Sequence, residues 1–213
     1  MSEKATVKFE EYAVCELTAA GLAPDTVYKN DVEFDLPEPT IIELAAVKVC
    51  GDEIVGSFHT FVQIDGIDAA RELDFDESPT LRGVTPKMLV GAPSLGEALN
   101  RFNEFTKGCT LILRNDWDNR LKVLRDCGAR FGLRFERVID LCNIVAAADA
   151  LRRYFETRTP DLLDIAAAMC DSCEWKELFA WYEVPFGRED CLGYALAFAE
   201  LIIKLTDEFD LPF

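Results

Sequence analysis

Histidine occurs once in these 213 residues, at His59, and basic side chains are scarce: 22 Lys and Arg stand against 39 Asp and Glu, a formal net charge of −17. The scarcity of positive charge excludes broad electrostatic capture of nucleic acid, because neutralising phosphates supplies most non-specific affinity. A phosphate contact would need a local basic patch. Its candidates are Arg114, Arg120, Lys122 and Arg125, then Arg130, Arg134 and Arg137; a solvated face of helix and loop explains the same residues equally well. A four-ligand structural zinc built on cysteine is not expected either. Of the eight cysteines only Cys170 and Cys173 are close in sequence, with no second pair and no downstream His to complete four ligands. Scattered through apolar segments, the cysteines read as buried free thiols in a reducing compartment. No run of 18 apolar residues occurs, so no membrane contact is expected. The opening MSEKATVKFEE is charged rather than signal-like, which makes the cytoplasm the expected location. Internal repeats and low-complexity linkers are absent too, and the length suits one domain over 1–213.

What is present is core material. Half the residues are hydrophobic and 15 are Phe, enough for a sizeable interior. The first half reads as strands: FEEYAVCEL (8–16), then IIELAAVKV (41–49) and EIVGSFHTFVQI (53–64) flanking Cys50-Gly51-Asp52 as a hairpin turn. Acidic loops lie near 23–40 and 65–80. Ser94 followed three residues later by Glu97 predicts a capping box at the start of a helix that stops at Gly108. A short apolar strand, CTLILR (109–114), precedes the helical NDWDNRLKVLRDCG; FERVIDL (135–141) is a last strand candidate, and a long apolar-rich helix spans roughly 188–208. A three-strand meander followed by alternating helix and strand predicts a mixed sheet with helices packed on it.

Four phrases in this order, YAVCELTAAGL, IIELAAVKVCGDEIVGSFHTFV, LRGVTPKMLVGAPSLGEAL and LILRNDWDNRLKVL, resemble the DEDD family of 3′→5′ exonucleases (DnaQ-like and ERI-type). Trp117-Asp118 is nearest the ERI-type subgroup. The resemblance implies an α/β, ribonuclease H-like three-layer fold: a mixed five-stranded central sheet with helices on both faces. It also implies a chemistry in which two Mg²⁺ or Mn²⁺ ions, about 4 Å apart, bind one scissile phosphate. Four converging carboxylates hold the ions in the family, and a His or Tyr serves as base or orients the water.

Transferred one residue at a time, that set is degenerate. The first acid matches Glu16, which keeps the charge with one more methylene; the second matches Thr18, a neutral hydroxyl. The third matches Asp118, with Asp116 on the same segment. The terminal His and Asp match Glu189 and Tyr194. Asp190 precedes Tyr194 by one helical turn, and His59 belongs to the third strand, read as an ordinary strand side chain. Misplacement of a catalytic group by about 1 Å can cost on the order of a hundredfold, so the expected function is that of a pseudo-exonuclease. It would bind single-stranded nucleic acid or a protein partner, with no metal or weakly bound Mg²⁺ or Mn²⁺. Trp117 and Tyr194 are candidates to stack on bases, with a core role for Tyr194 as the alternative. A second reading stays open: a divergent active exonuclease with metal on Glu16, Asp118 and Asp190, Glu43 in the second strand assisting.

Overall fold

The computed structural model describes residues 11–20, 39–64, 83–114, 119–145 and 172–209. Five strands form one sheet in the order β3-β2-β1-β4-β5. They are β1 (Glu11–Ala20), β2 (Thr40–Cys50), β3 (Glu53–Phe61), β4 (Thr110–Leu113) and β5 (Val138–Asp140). The meander β1-β2-β3 is antiparallel, whereas β4 pairs parallel to β1 and β5 parallel to β4. The sheet is therefore mixed and five-stranded, as expected. Gly51, at φ +62, makes the tight turn between β2 and β3, a conformation that L side chains resist.

Helices cover both faces because the strands are apolar on both. Alternate side chains of a strand point to opposite faces. On one face Tyr12, Val14, Ala45, Val47 and Val49 pack with Trp175, Phe179, Tyr194 and Phe198 of α4 (Ser172–Trp181) and α5 (Cys191–Phe209). On the other, Ala13, Cys15, Leu17, Leu44 and Ala46 pack with Leu99, Phe102 and Leu124 of α2 (Leu95–Phe105) and α3 (Arg120–Ala129). The short α1 (Pro86–Leu89) closes a third, smaller cluster. Each fully buried Phe contributes roughly 1.5–3 kcal/mol of transfer free energy, so Phe102 and Phe198, both wholly buried, anchor the two layers.

The expected capping box is formed. Ser94 Oγ accepts from the Glu97 N–H at 3.4 Å, and Glu97 Oε2 accepts from the Ser94 N–H at 3.0 Å. Thr106, whose N–H donates to the Phe102 carbonyl, ends the helix, and Gly108 follows at φ +85. Among the described cysteines, Cys15, Cys109, Cys127 and Cys191 are buried, Cys142 is intermediate and Cys50 is exposed; all six are free thiols. Burial pushes the Cys15 thiol well up, with Cys109 and Glu16 adding to the shift. Apart from residues 39 and 40, the loop at 23–40 lies outside the described residues, as does the whole of the loop at 65–80; Cys170 lies outside them as well. Among the described residues no helix is long and apolar enough to cross a membrane.

Candidate functional site

Strand pairing decides which side chains meet. On β1, Glu16 and Thr18 share the face that packs on α5, opposite Ala45 and Glu43 of β2. Across β2, His59 of β3 lies opposite Ala45, so it shares that face as well. On the far side of β1, Cys15 pairs with Leu113 at the end of β4, which brings the next residue, Arg114, beside Glu16. Two centres result, one around Glu16 and one around Glu43.

The Glu16 carboxylate is wholly buried and held between two guanidiniums. Arg114 Nε donates to Oε1 at 3.3 Å and Arg120 Nη1 donates to Oε2 at 2.6 Å. Both arginines are themselves buried, at 2% and 5% exposure. Asn119, in the left-handed conformation that Asn tolerates, precedes Arg120 at the head of α3. The Arg114 guanidinium also lies 5.7 Å from the Tyr194 ring centroid and 5.8 Å from that of Phe198, within cation–π range.

The Glu43 carboxylate, equally buried, has different company. Oε1 faces His59 Nε2 at 2.8 Å and accepts from the Cys191 N–H at 3.3 Å; Oε2 accepts from Thr18 Oγ1 at 3.3 Å. Thr18 Oγ1 also lies 3.2 Å from Cys191 Sγ. Asp190 stands at the head of α5 in the manner of an N-cap, its Oδ1 accepting from the Gly193 N–H at 2.8 Å and its Oδ2 engaging Arg188. Gly193 is required there, since a Cβ would meet the Arg188 carbonyl oxygen at 2.2 Å. Burial works to raise the Asp190 pKa. The Gly193 N–H, the Arg188 guanidinium and the charge of His59 outweigh that effect and hold it below the ordinary value. One donor atom each from Glu43, His59 and Asp190 lie within 4.8 Å of one another.

The residues named from sequence are thus distributed unevenly. Thr18 and Asp190 both belong to the second centre. Glu189 is exposed and pairs with Lys176 at 2.5 Å, and Asp118, Asp116 and Trp117 lie outside the described residues. Tyr194 is 4% exposed and packed against Phe186 and Phe198, so its ring is core and is not offered to a base. Two members of the expected basic patch are corrected: Arg114 and Arg120 are buried and turned inward on Glu16, whereas Lys122, Arg130, Arg134 and Arg137 are exposed. Sequence reasoning missed the two arginines as partners of Glu16. The parallel pairing of β4 with β1 was the signal for Arg114; Arg120, six residues on, gave none.

The described residues do not fit a two-ion centre at Glu16. A divalent cation there would displace or abut two buried guanidiniums, and the neighbouring strand position supplies a hydroxyl, Thr18, that donates rather than a carboxylate that binds.

A family model described as an exonuclease, RNase_T, matches residues 30–168. The match spans β2 to β5 and leaves out β1 and α5. DNA polymerase III of the PolC type from Bacillus cereus is 35% identical over 97 residues, which is 44% of this chain and 6% of that protein. The chain spans 6–10% of the length of the curated relatives it matches. Among solved structures, the nuclease domain of 3′hExo, described as a DEDDh family member bound to rAMP, shares the fold at a TM-score of 0.63 with 14% identity, covering 97% of each chain. A 3′-exonuclease described in 3′-end specific recognition of a histone mRNA stem-loop aligns at a TM-score of 0.64 with 17% identity, over 99% of this chain and 68% of its own.

Proposed function

Since the chain belongs to the RNase_T exonuclease family, we propose that it is a catalytically silent member whose fold serves as a binding module. The observation that carries this reading is the pairing of Glu16 with Arg114 and Arg120. Family members depend on metal, and their first acid is a metal ligand; here both oxygens of the matching carboxylate are engaged by permanently charged side chains. Thr18 in place of the second acid, and Glu189 and Tyr194 in place of the terminal pair, point the same way.

A protein partner suits the charge better than a nucleic acid. The net charge is −17, and the central arginines are internally paired. The nucleic acids in the descriptions of the structural neighbours make single-stranded RNA and DNA the ligands to test against. End-labelled single strands are incubated with Mg²⁺ or Mn²⁺ beside an Asp118→Asn control, and the same strands are tested for retention in chelator. No shortening above the control and no retention is the expected result. Retention without cleavage keeps the silent reading and makes nucleic acid the occupant. Shortening from the 3′ end that Asp118→Asn abolishes overturns it in favour of an active site on Glu16, Asp118 and Asp190.

A further inference from the structure

We propose that Glu43, His59 and Asp190 form a binding site for a single first-row divalent transition cation, Zn²⁺ foremost, displaced from the Glu16 position. The three donors come from β2, β3 and the head of α5, so the sheet and one helix fix their spacing. Their donor atoms already lie within 4.8 Å of one another. A cation at roughly 2.0–2.2 Å from nitrogen and oxygen donors holds them about 3–4 Å apart, and His59 Nε2 and Glu43 Oε1 are already 2.8 Å apart. Two carboxylates and an imidazole carry the charge that balances a divalent ion. The mixed donor set favours zinc or manganese over magnesium, which demands an all-oxygen octahedron.

The surroundings resemble the supports that orient metal ligands. Thr18 Oγ1 and the Cys191 N–H fix the Glu43 carboxylate, and the Gly193 N–H fixes Asp190. An approach from solvent exists, because the His59 and Asp190 side chains are 21% and 26% exposed. An arriving ion exchanges the His59–Glu43 hydrogen bond for two metal bonds, and it displaces Arg188, whose half-exposed guanidinium turns to water at little cost. The centre at Glu16, among the described residues, offers one carboxylate held by two buried arginines.

The test uses the full chain, stripped with chelator and titrated with Zn²⁺, Mn²⁺ and Mg²⁺ by calorimetry, with Co²⁺ as a spectroscopic substitute. One equivalent of Zn²⁺ should bind, more tightly than Mn²⁺ and far more tightly than Mg²⁺. His59→Gln and Asp190→Asn should each weaken it at least about tenfold, while Asp126→Asn, at an exposed position of α3, leaves it unchanged. Circular dichroism of each variant checks that the fold persists, and two separate variants guard against one that fails to fold. The proposal is overturned by an absence of saturable binding, or by binding that both variants leave intact. It is equally overturned by a sulfur-to-cobalt charge-transfer band placing the ion on thiols. The readout is affinity, so it stands or falls separately from the silent reading.

Discussion

Glu16 and Glu43 sit on neighbouring strands of one sheet with side chains wholly buried, yet their charges are balanced in opposite ways. Glu16 meets two buried guanidiniums that stay protonated at any physiological pH, that of Arg114 lying over the Tyr194 and Phe198 rings. Glu43 meets a hydroxyl, a peptide N–H and an imidazole, and the imidazole is partly open to solvent. A permanent internal cation closes a carboxylate to outside ligands. A titratable, partly exposed partner leaves it exchangeable. The fold has kept both buried acids, and the nature of each counter-charge separates a structural centre from one that can take a ligand.

The largest test of that difference is Glu16→Ala. Removing the carboxylate strands two buried guanidiniums, and breaking a buried ionic set in this way typically costs about 3–5 kcal/mol. Urea unfolding should show that loss, and a cost below about 1 kcal/mol would break the comparison. Replacing Glu16, Arg114 and Arg120 together with apolar residues of similar volume should recover most of the stability, because the desolvation of all three charges disappears with them.

Glu43→Gln should cost less, about 1–3 kcal/mol by the same measurement. The amide keeps the shape and its one oxygen can still accept from the Cys191 N–H, while its NH₂ can donate to Thr18 Oγ1 and His59 can turn to water. Pairing it with His59→Gln in a double-mutant cycle should give a coupling on the order of 1 kcal/mol. A coupling near zero would mean that His59 does not balance Glu43, and the contrast between a permanent and a titratable counter-charge would fail.

Much of this was legible in the sequence. The Cys50-Gly51-Asp52 turn, the Ser94/Glu97 box and the four phrases place the strands, α2 and the mixed sheet, and the structure has them all. The losses at Thr18 and Tyr194 were legible too, as residues out of pattern. The second centre was hidden by register. Counted from the hairpin turn, with Cys50 opposite Glu53, His59 falls opposite Leu44 and so on the face away from Glu43. An irregularity between Lys48 and Val49 shifts the pairing by one residue and puts His59 opposite Ala45. A one-residue slip flips every later side chain to the other face of the sheet, and nothing in EIVGSFHTF announces it. Arg120 was illegible for another reason: its reach into the core depends on how the chain returns to α3, which spacing alone does not specify.

The smallest effect is expected at Asp190, and it separates geometry from charge in the second centre. Burial favours the neutral acid, but the Gly193 N–H, Arg188 and His59 hold the folded-state pKa below its ordinary value. Stability from that shift is therefore fully present above the unfolded-state pKa and disappears as pH falls through the lowered one. Asp190→Asn retains an acceptor for the Gly193 N–H, since Asn caps helices about as well as Asp, and loses only the charge. With a partly exposed group screened by water, the difference should be about 0.5 kcal/mol at neutral pH. Urea midpoints of the two proteins, followed from pH 7 downwards, should keep a constant gap and then converge below the usual carboxylate range of about 3.9. A gap that persists through that range would assign the Asp190 contribution to cap geometry. The charge that distinguishes this centre from the one at Glu16 would then rest on Glu43 and His59 alone.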